Sequence, residues 1–360
     1  MDLKEIAFRR LRTQRLVGKG FASAAEAVRW FGAVQSQEYE WSKWALGLRV
    51  DNATSSTIEG AIRDGSIVRS WPMRGTVHMM PAEDVRWMLE LMAYRQNEKF
   101  MPFLKKLGLT EAILSKARPV LEKELADGPV ERRTLYEALT AAGILKDRSW
   151  GTHIIGYWSQ TGLICPGPLS GKQPTVTLLD KWVPTKKSLQ LEKVDALKLI
   201  AERYFRSHGP ASLQDFTWWT GLSAADAGEA LAMIKSSLIS IDHESKTFWM
   251  SKETAGLDLA ADSSAHLLPP FDEYTVAYKN REAAIAAAEL QSMQHGIFTP
   301  TILIDGRIVG SWSRKLLKNT ASLELTTKPL KPAEEKLVMQ AASEYSKFIE
   351  LPVQLERRTL

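Results

Sequence analysis

Between positions 35 and 44 the sequence gathers residues that could do chemistry. Gln35, Ser36 and Gln37 end an apolar stretch and are followed by Glu38, Glu40, Trp41 and Trp44. Two amides in that setting either cap a helix, leaving the tryptophans to fill a core, or offer carbonyl oxygens and N–H groups to something bound. Other chemistries lack their residues. The histidines, His78, His153, His208, His243, His266 and His295, are scattered without HxxxH or HExxH spacing, and Cys165 is the single cysteine. Neither a metal nor any cofactor is therefore expected. GPLSGK at 167–172 is one residue short of a phosphate loop and has Gln173 where a magnesium-binding Ser or Thr belongs, so it reads as a turn. There is no GxSxG elbow and no GxGxxG fingerprint.

Elements able to hold these residues emerge when the chain is compared with itself. LEKELADGPVERRTLYEAL (121–139) and AERYFRSHGPASLQDFTWW (201–219) each end a helix, turn at Gly-Pro and start another. A further helix, about 149–161 or 223–236, leads to an apolar pair, Leu163-Ile164 or Leu238-Ile239, and a segment suited to a hairpin. Helix, helix, helix, hairpin is the order of a winged helix. A more diverged version opens the chain. SAAEAVRWFGAVQSQ is helical by period with the glutamines at its end, STIEGAIRDG follows, and IVRSWPMRGTVHMM reads as two strands about a Pro-Met-Arg-Gly turn. Alternation in that hairpin sets Val77 and Met79 opposite His78. After residue 256, LLPPFDEYTVAYKNR reads as loop and strand, TILIDGRIVGSW as a hairpin about Asp305-Gly306, ASLELTT as a strand, and 332–349 as a closing helix begun at Pro332.

The expected fold is α+β, mainly α. It comprises a winged-helix-like unit (1–108) carrying the Gln-x-Gln segment, a second winged helix (109–190), a third (191–255) and a mixed α/β cap (256–360). With 360 residues and 44% hydrophobic content the chain can bury several cores. A net charge of +5 leans towards a polyanionic partner without being histone-like. The lone cysteine fits a reducing compartment, and no apolar run is long enough for a membrane span. A cytoplasmic, monomeric protein is expected.

VQSQEYEWSKWALGLR, WPMRGTVHMMPAEDVRWML, LLPPFDEYTVAYKNR and FTPTILIDGRIVGSWSR, taken together and in this order, closely resemble the AlkZ-like DNA glycosylases, relatives of YcaQ. The resemblance implies tandem winged helices in a C-shaped arrangement, duplex DNA bearing alkylated purines as partner, and excision of bulky adducts, in some members interstrand crosslinks. It also implies that Gln35 and Gln37 are catalytic, with Ser36 departing from the family's apolar middle position. Gln37, where the YcaQ branch carries Asp, sets the chain nearer the AlkZ branch.

An N7- or N3-alkylated purine is already an activated leaving group, so the remaining task is to aim a water at C1′, which two amide carbonyls can do by proximity. No lysine is set by the motif for a lyase step. Expected DNA contacts are Arg69, Arg74 and His78 on the hairpin, Trp41 and Trp44 after the motif, and Lys279, Arg281 and Arg314 in the cap. Ser36, Glu38, Asp272, Glu273, Tyr274 and Trp312 are candidate channel-lining residues. The competing reading is a non-catalytic winged-helix DNA-binding protein or transcriptional regulator, which would bind one sequence far more tightly than bulk DNA.

Overall fold

A computed structural model describes residues 1–258, 263–286 and 298–359. The chain divides into two units, Met1–Glu59 with Leu197–Trp219 and Ser223–Leu360, and Gly60–Ala196 with Thr220–Leu222. Helices dominate among short strands, which gives an α+β, mainly α class.

The first unit begins with α1 (Leu3–Thr13), whose N-terminus is capped by Asp2 accepting the Glu5 N–H at 2.7 Å and whose last turn carries Arg10 and Arg12, as the helix dipole favours. Helix α2 (Ala24–Phe31) is capped by Ser23 and stops at Gly32, which adopts φ +82° while its N–H bonds Val28 O. The glutamines therefore do not end a helix. The positive φ of Gly32 turns the chain into the two-residue strand β1 (Val34–Gln35), and Gln37 precedes α3 (Tyr39–Gly47). Helix α4 follows (Ser55–Arg63).

In the second unit, β2 (Ile67–Met73) and β3 (Thr76–Pro81) form the expected hairpin, with the turn confined to Arg74-Gly75, both at positive φ. Helices α5 (Val85–Met88) and α6 (Tyr94–Lys106) flank a π-helical turn at Leu89–Ala93. Then come α7 (Glu111–Glu124), β4 (Val130–Glu131), α8 (Arg132–Ala141), α9 (Arg148–Gln160), β5 (Ile164–Pro166), β6 (Thr175–Leu178) and α10 (Leu179–Trp182), with sheet order β4-β6-β5. Apolar positions one or two helical turns apart, such as Leu114 and Leu121 in α7 and Leu135 and Leu139 in α8, meet with Ile154 of α9 in one core. GPLSGK falls in the β5–β6 connection, the turn its sequence implied.

The same element order recurs in α11 (Lys193–Ser207), α12 (Leu213–Thr220), α13 (Ala224–Ile234), β7 (Leu238–His243) and β8 (Lys246–Ser251). Here an isolated bridge, Ala211 to Trp249, stands where β4 pairs with β6 in the earlier copy. After α14 (Lys252–Ala255), the first unit closes on a five-stranded sheet. Its strands are β9 (Ala265–Leu268), β10 (Thr301–Ile304), β11 (Arg307–Leu316), β12 (Ala321–Thr327) and β13 (Val353–Thr359), in the order β13-β12-β11-β10-β9. Asp305 and Gly306 make the expected tight turn, and Pro332 starts α16 (Pro332–Ile349). Two details differ from the sequence reading. The segment after Asp272 is not a strand but a helical turn, α15 (Glu273–Val276), because the Asp272 carboxylate caps it by accepting the Tyr274 N–H. Nor does α16 end the chain: β13 returns to pair parallel with β12.

Candidate active site

Gln35 is buried in β1, and its backbone N–H donates to Glu273 Oε1 at 2.8 Å. Ser36 is fully buried and Gln37 is exposed, so the motif runs from an anchored amide to one facing solvent. The Glu273 carboxylate, 1% exposed, is also met by the Trp219 indole N–H at 2.9 Å and by His208 Nε2 at 3.3 Å. His208 stacks on Tyr204 at 4.7 Å and packs against Phe31 and Trp219. Burial holds its pKa below the ordinary imidazole value, with Glu273 opposing, and the ring is neutral near pH 7. With the hydrogen on Nε2 the ring is a third donor to the carboxylate, while Nδ1 lies 2.8 Å from the Ser207 hydroxyl, whose own hydrogen goes to Arg203 O at 2.6 Å.

Next along the chain, Asp272 takes a bidentate salt bridge from Arg49, both bonds 2.8 Å. The rest of the guanidinium is occupied by Ala45 O and by the backbone and side-chain oxygens of Gln14. Such a buried pair is tolerable because nearly every donor is met. Gln14 passes a hydrogen to Tyr278 Oη, which in turn donates to His208 O, joining the two halves of the network. Every member lies in the first unit.

The remaining candidates separate by burial. Asp272, Glu273 and Tyr274 are buried and serve as framework rather than as a channel surface, since their polar atoms are spent on Arg49, Gln35 and Gly306 O respectively. Trp44 and Trp312 are also interior, their indole N–H groups donating to Leu267 O and Leu268 O. Trp41 stays half-buried with the Arg314 guanidinium 3.7 Å from its ring. Glu38 is exposed, and so is Glu40, which pairs with Lys43. Lys279 is exposed with Nζ 4.9 Å from the Trp218 ring, and Arg281, half-buried, is 5.5 Å from the same ring. In the second unit Arg69 and Arg74 are half-buried. His78 is fully buried, its Nδ1 on Thr76 O and its Nε2 3.1 Å from Arg74 Nη2, so it supports the hairpin from within instead of probing outward. His295 lies outside the described residues.

Reading the sequence missed His208, Arg49, Gln14, Tyr278 and Trp219. The available signal was a polar or charged residue inside an apolar run, as with Arg49 in ALGLRV.

The family model described as "DNA glycosylase AlkZ-like" matches residues 28–348. An interstrand DNA cross-link repair glycosylase of Streptomyces sahachiroi is 24% identical over 322 residues, covering 84% of this chain and 85% of that protein. The solved structure of the Streptomyces sahachiroi DNA glycosylase AlkZ shares the fold, with a TM-score of 0.80 at 21% identity over 99% of this chain and 100% of that one. The chain belongs to the AlkZ-like DNA glycosylases. Among the described residues no helix is long and apolar enough to cross a membrane.

Proposed function

We propose that this glycosylase hydrolyses the N-glycosidic bond of N7- or N3-alkylated purines in duplex DNA, using a water aimed by the side-chain carbonyls of Gln35 and Gln37. The observation that carries the reading is the contrast within the motif: Gln35 is tied into the interior through its backbone, while Gln37 is exposed two residues later. Amide carbonyls are too weakly basic to take a proton outright, so their contribution is orientation, enough only where the departing base is already cationic. As the alkylated purine leaves with the bonding electrons, the water attacks C1′ from the opposite face and releases its proton to solvent. The reaction is monofunctional in this reading.

Bulky adducts and interstrand crosslinks are included among the proposed substrates because the relative from Streptomyces sahachiroi is named for that repair. The proposed frame is three winged-helix units over 1–108, 109–190 and 191–255, followed by the cap. The repeated element order over 111–178 and 193–251 supports the second and third. Lys279, Arg281, Arg314, Trp41, Arg69 and Arg74, cations and an aromatic that are half-buried or exposed rather than core, are the proposed DNA contacts. A monomer acting in the cytoplasm completes the proposal.

The test is release of N7-methylguanine from an oligonucleotide duplex, scored as alkali-labile abasic sites under single-turnover conditions. Gln35→Ala and Gln37→Ala are each expected to slow excision by about 10²-fold, the scale of lost positioning, with Glu38→Ala near wild type. Loss of activity confined to Glu38→Ala would overturn the assignment, as would uracil release as fast as N7-methylguanine release.

A further inference from the structure

Resting on the reading that Gln35 and Gln37 aim the water, we propose that Glu273 is a positioning residue: its carboxylate clamps the backbone of the Gln35 strand and so sets the direction of both amides. A carboxylate 1% exposed is costly to bury unless N–H groups surround it. Here the donors come from separate elements: Gln35 N–H of β1 at 2.8 Å on Oε1, and Trp219 Nε1–H of α12 at 2.9 Å with His208 Nε2, just after α11, at 3.3 Å on Oε2. The carboxylate itself is fixed, because Glu273 opens α15 directly after Asp272, which Arg49 grips with two bonds.

The Arg49 fork is directed to Asp272, Gln14 and Ala45, and the contacts to Glu273 described above are N–H groups of neutral partners. The clamp is assigned to reach and acceptor geometry, because the bond to Gln35 N–H needs an acceptor oxygen at the full length of the side chain. The bond goes to the main chain of Gln35 and not to its side-chain amide, and Ser36, fully buried, links it to Gln37. The bond fixes the motif at the Gln35 N–H, and a misplacement of about 1 Å in a water-aiming group costs on the order of 10²-fold in rate.

Three variants separate the clamp from a general structural or electrostatic role. Each is assayed for single-turnover excision from a duplex bearing one N7-methylguanine, for affinity to the same duplex by fluorescence anisotropy, and for folding by near-ultraviolet circular dichroism. Glu273→Ala is expected to lose about 10²-fold in excision rate with affinity within about twofold. Glu273→Asp, charged but one methylene short of Gln35 N–H, should fall nearly as far, whereas Glu273→Gln, which keeps a carbonyl at full reach, should recover about tenfold of the loss. Wild-type rates in Glu273→Asp and Glu273→Gln would overturn the proposal. So would rescue by Asp but not Gln, or a rate loss mirrored by an equal loss of affinity. If Glu273→Ala does not fold, the Asp and Gln pair decides. Gln35→Ala and Gln37→Ala run alongside: full activity there removes the water-aiming reading and the clamp with it, whereas their inactivity beside a fully active Glu273→Asp removes the clamp alone.

Discussion

Asp272 and Arg49 show at the scale of single residues how the site is held. Their bidentate bridge is interior, with Arg49 2% exposed and Asp272 0%. Removing one partner strands the other's charge in the core, so Asp272→Ala is expected to destabilise by about 3–5 kcal/mol in urea titration, and replacing both by apolar residues should cost less than either single change. A double replacement as damaging as the sum of the singles would contradict that account. At this scale the sequence was legible only in part. Gln35 and Gln37 stood out because amides closing an apolar run are conspicuous. His208 and Trp219 did not, because nothing in residues 208 and 219 says that they will converge on Glu273, and their relation is purely spatial.

Elements decide how the motif is presented. Period alone carries α2 through to Gln37, but Gly32 at φ +82° ends it at Phe31 and releases the glutamines into a strand and a bend. Helix α3, which follows, is pressed against α16 at Gly47, where an added Cβ would overlap the Phe348 ring. Gly47→Ala is therefore expected to cost about 1–3 kcal/mol, measured as a lowered urea midpoint. Because α3 begins just after Gln37, excision should slow in the same variant. Adding Phe348→Ala should restore part of the stability relative to the sum of the two single changes, and strict additivity would count against a steric cause.

For the whole molecule, two imidazoles, His208 buried and His266 half-buried, make stability depend on pH. His208 is held below the ordinary value by burial, and His266, whose Nε2 is sealed from solvent without a hydrogen-bond partner, is lowered to about 4, also by burial. The unfolded chain takes up these protons near the ordinary value of 6.5 and the folded chain does not. Their contribution is thus complete above that pH and is lost as the pH falls, for His266 through about 4. Thermal melts between pH 7 and 4 should show the decline, and His266→Gln should flatten it; an unchanged slope would remove His266 from the account. Binding to duplex DNA should weaken with salt, and Lys279→Ala, at an exposed cation beside Trp218, should lower the log-log slope by about one if it meets one phosphate.

By itself the sequence determined the elements and the family. Period, caps and Gly-Pro turns are local, so α8, α9, α16, the Asp305-Gly306 turn and the repeated element order were readable along the chain, and Gln-Ser-Gln with its neighbouring segments marked the glycosylase family. Only the tertiary structure decided which polar residues face solvent and which hold the site. Asp272, Glu273, Tyr274, His78, Trp44 and Trp312 look accessible in a string of letters, yet each is buried against partners tens to hundreds of residues away or across a hairpin. Burial and hydrogen-bond satisfaction are settled between elements, whereas a sequence pattern reports only what happens within one.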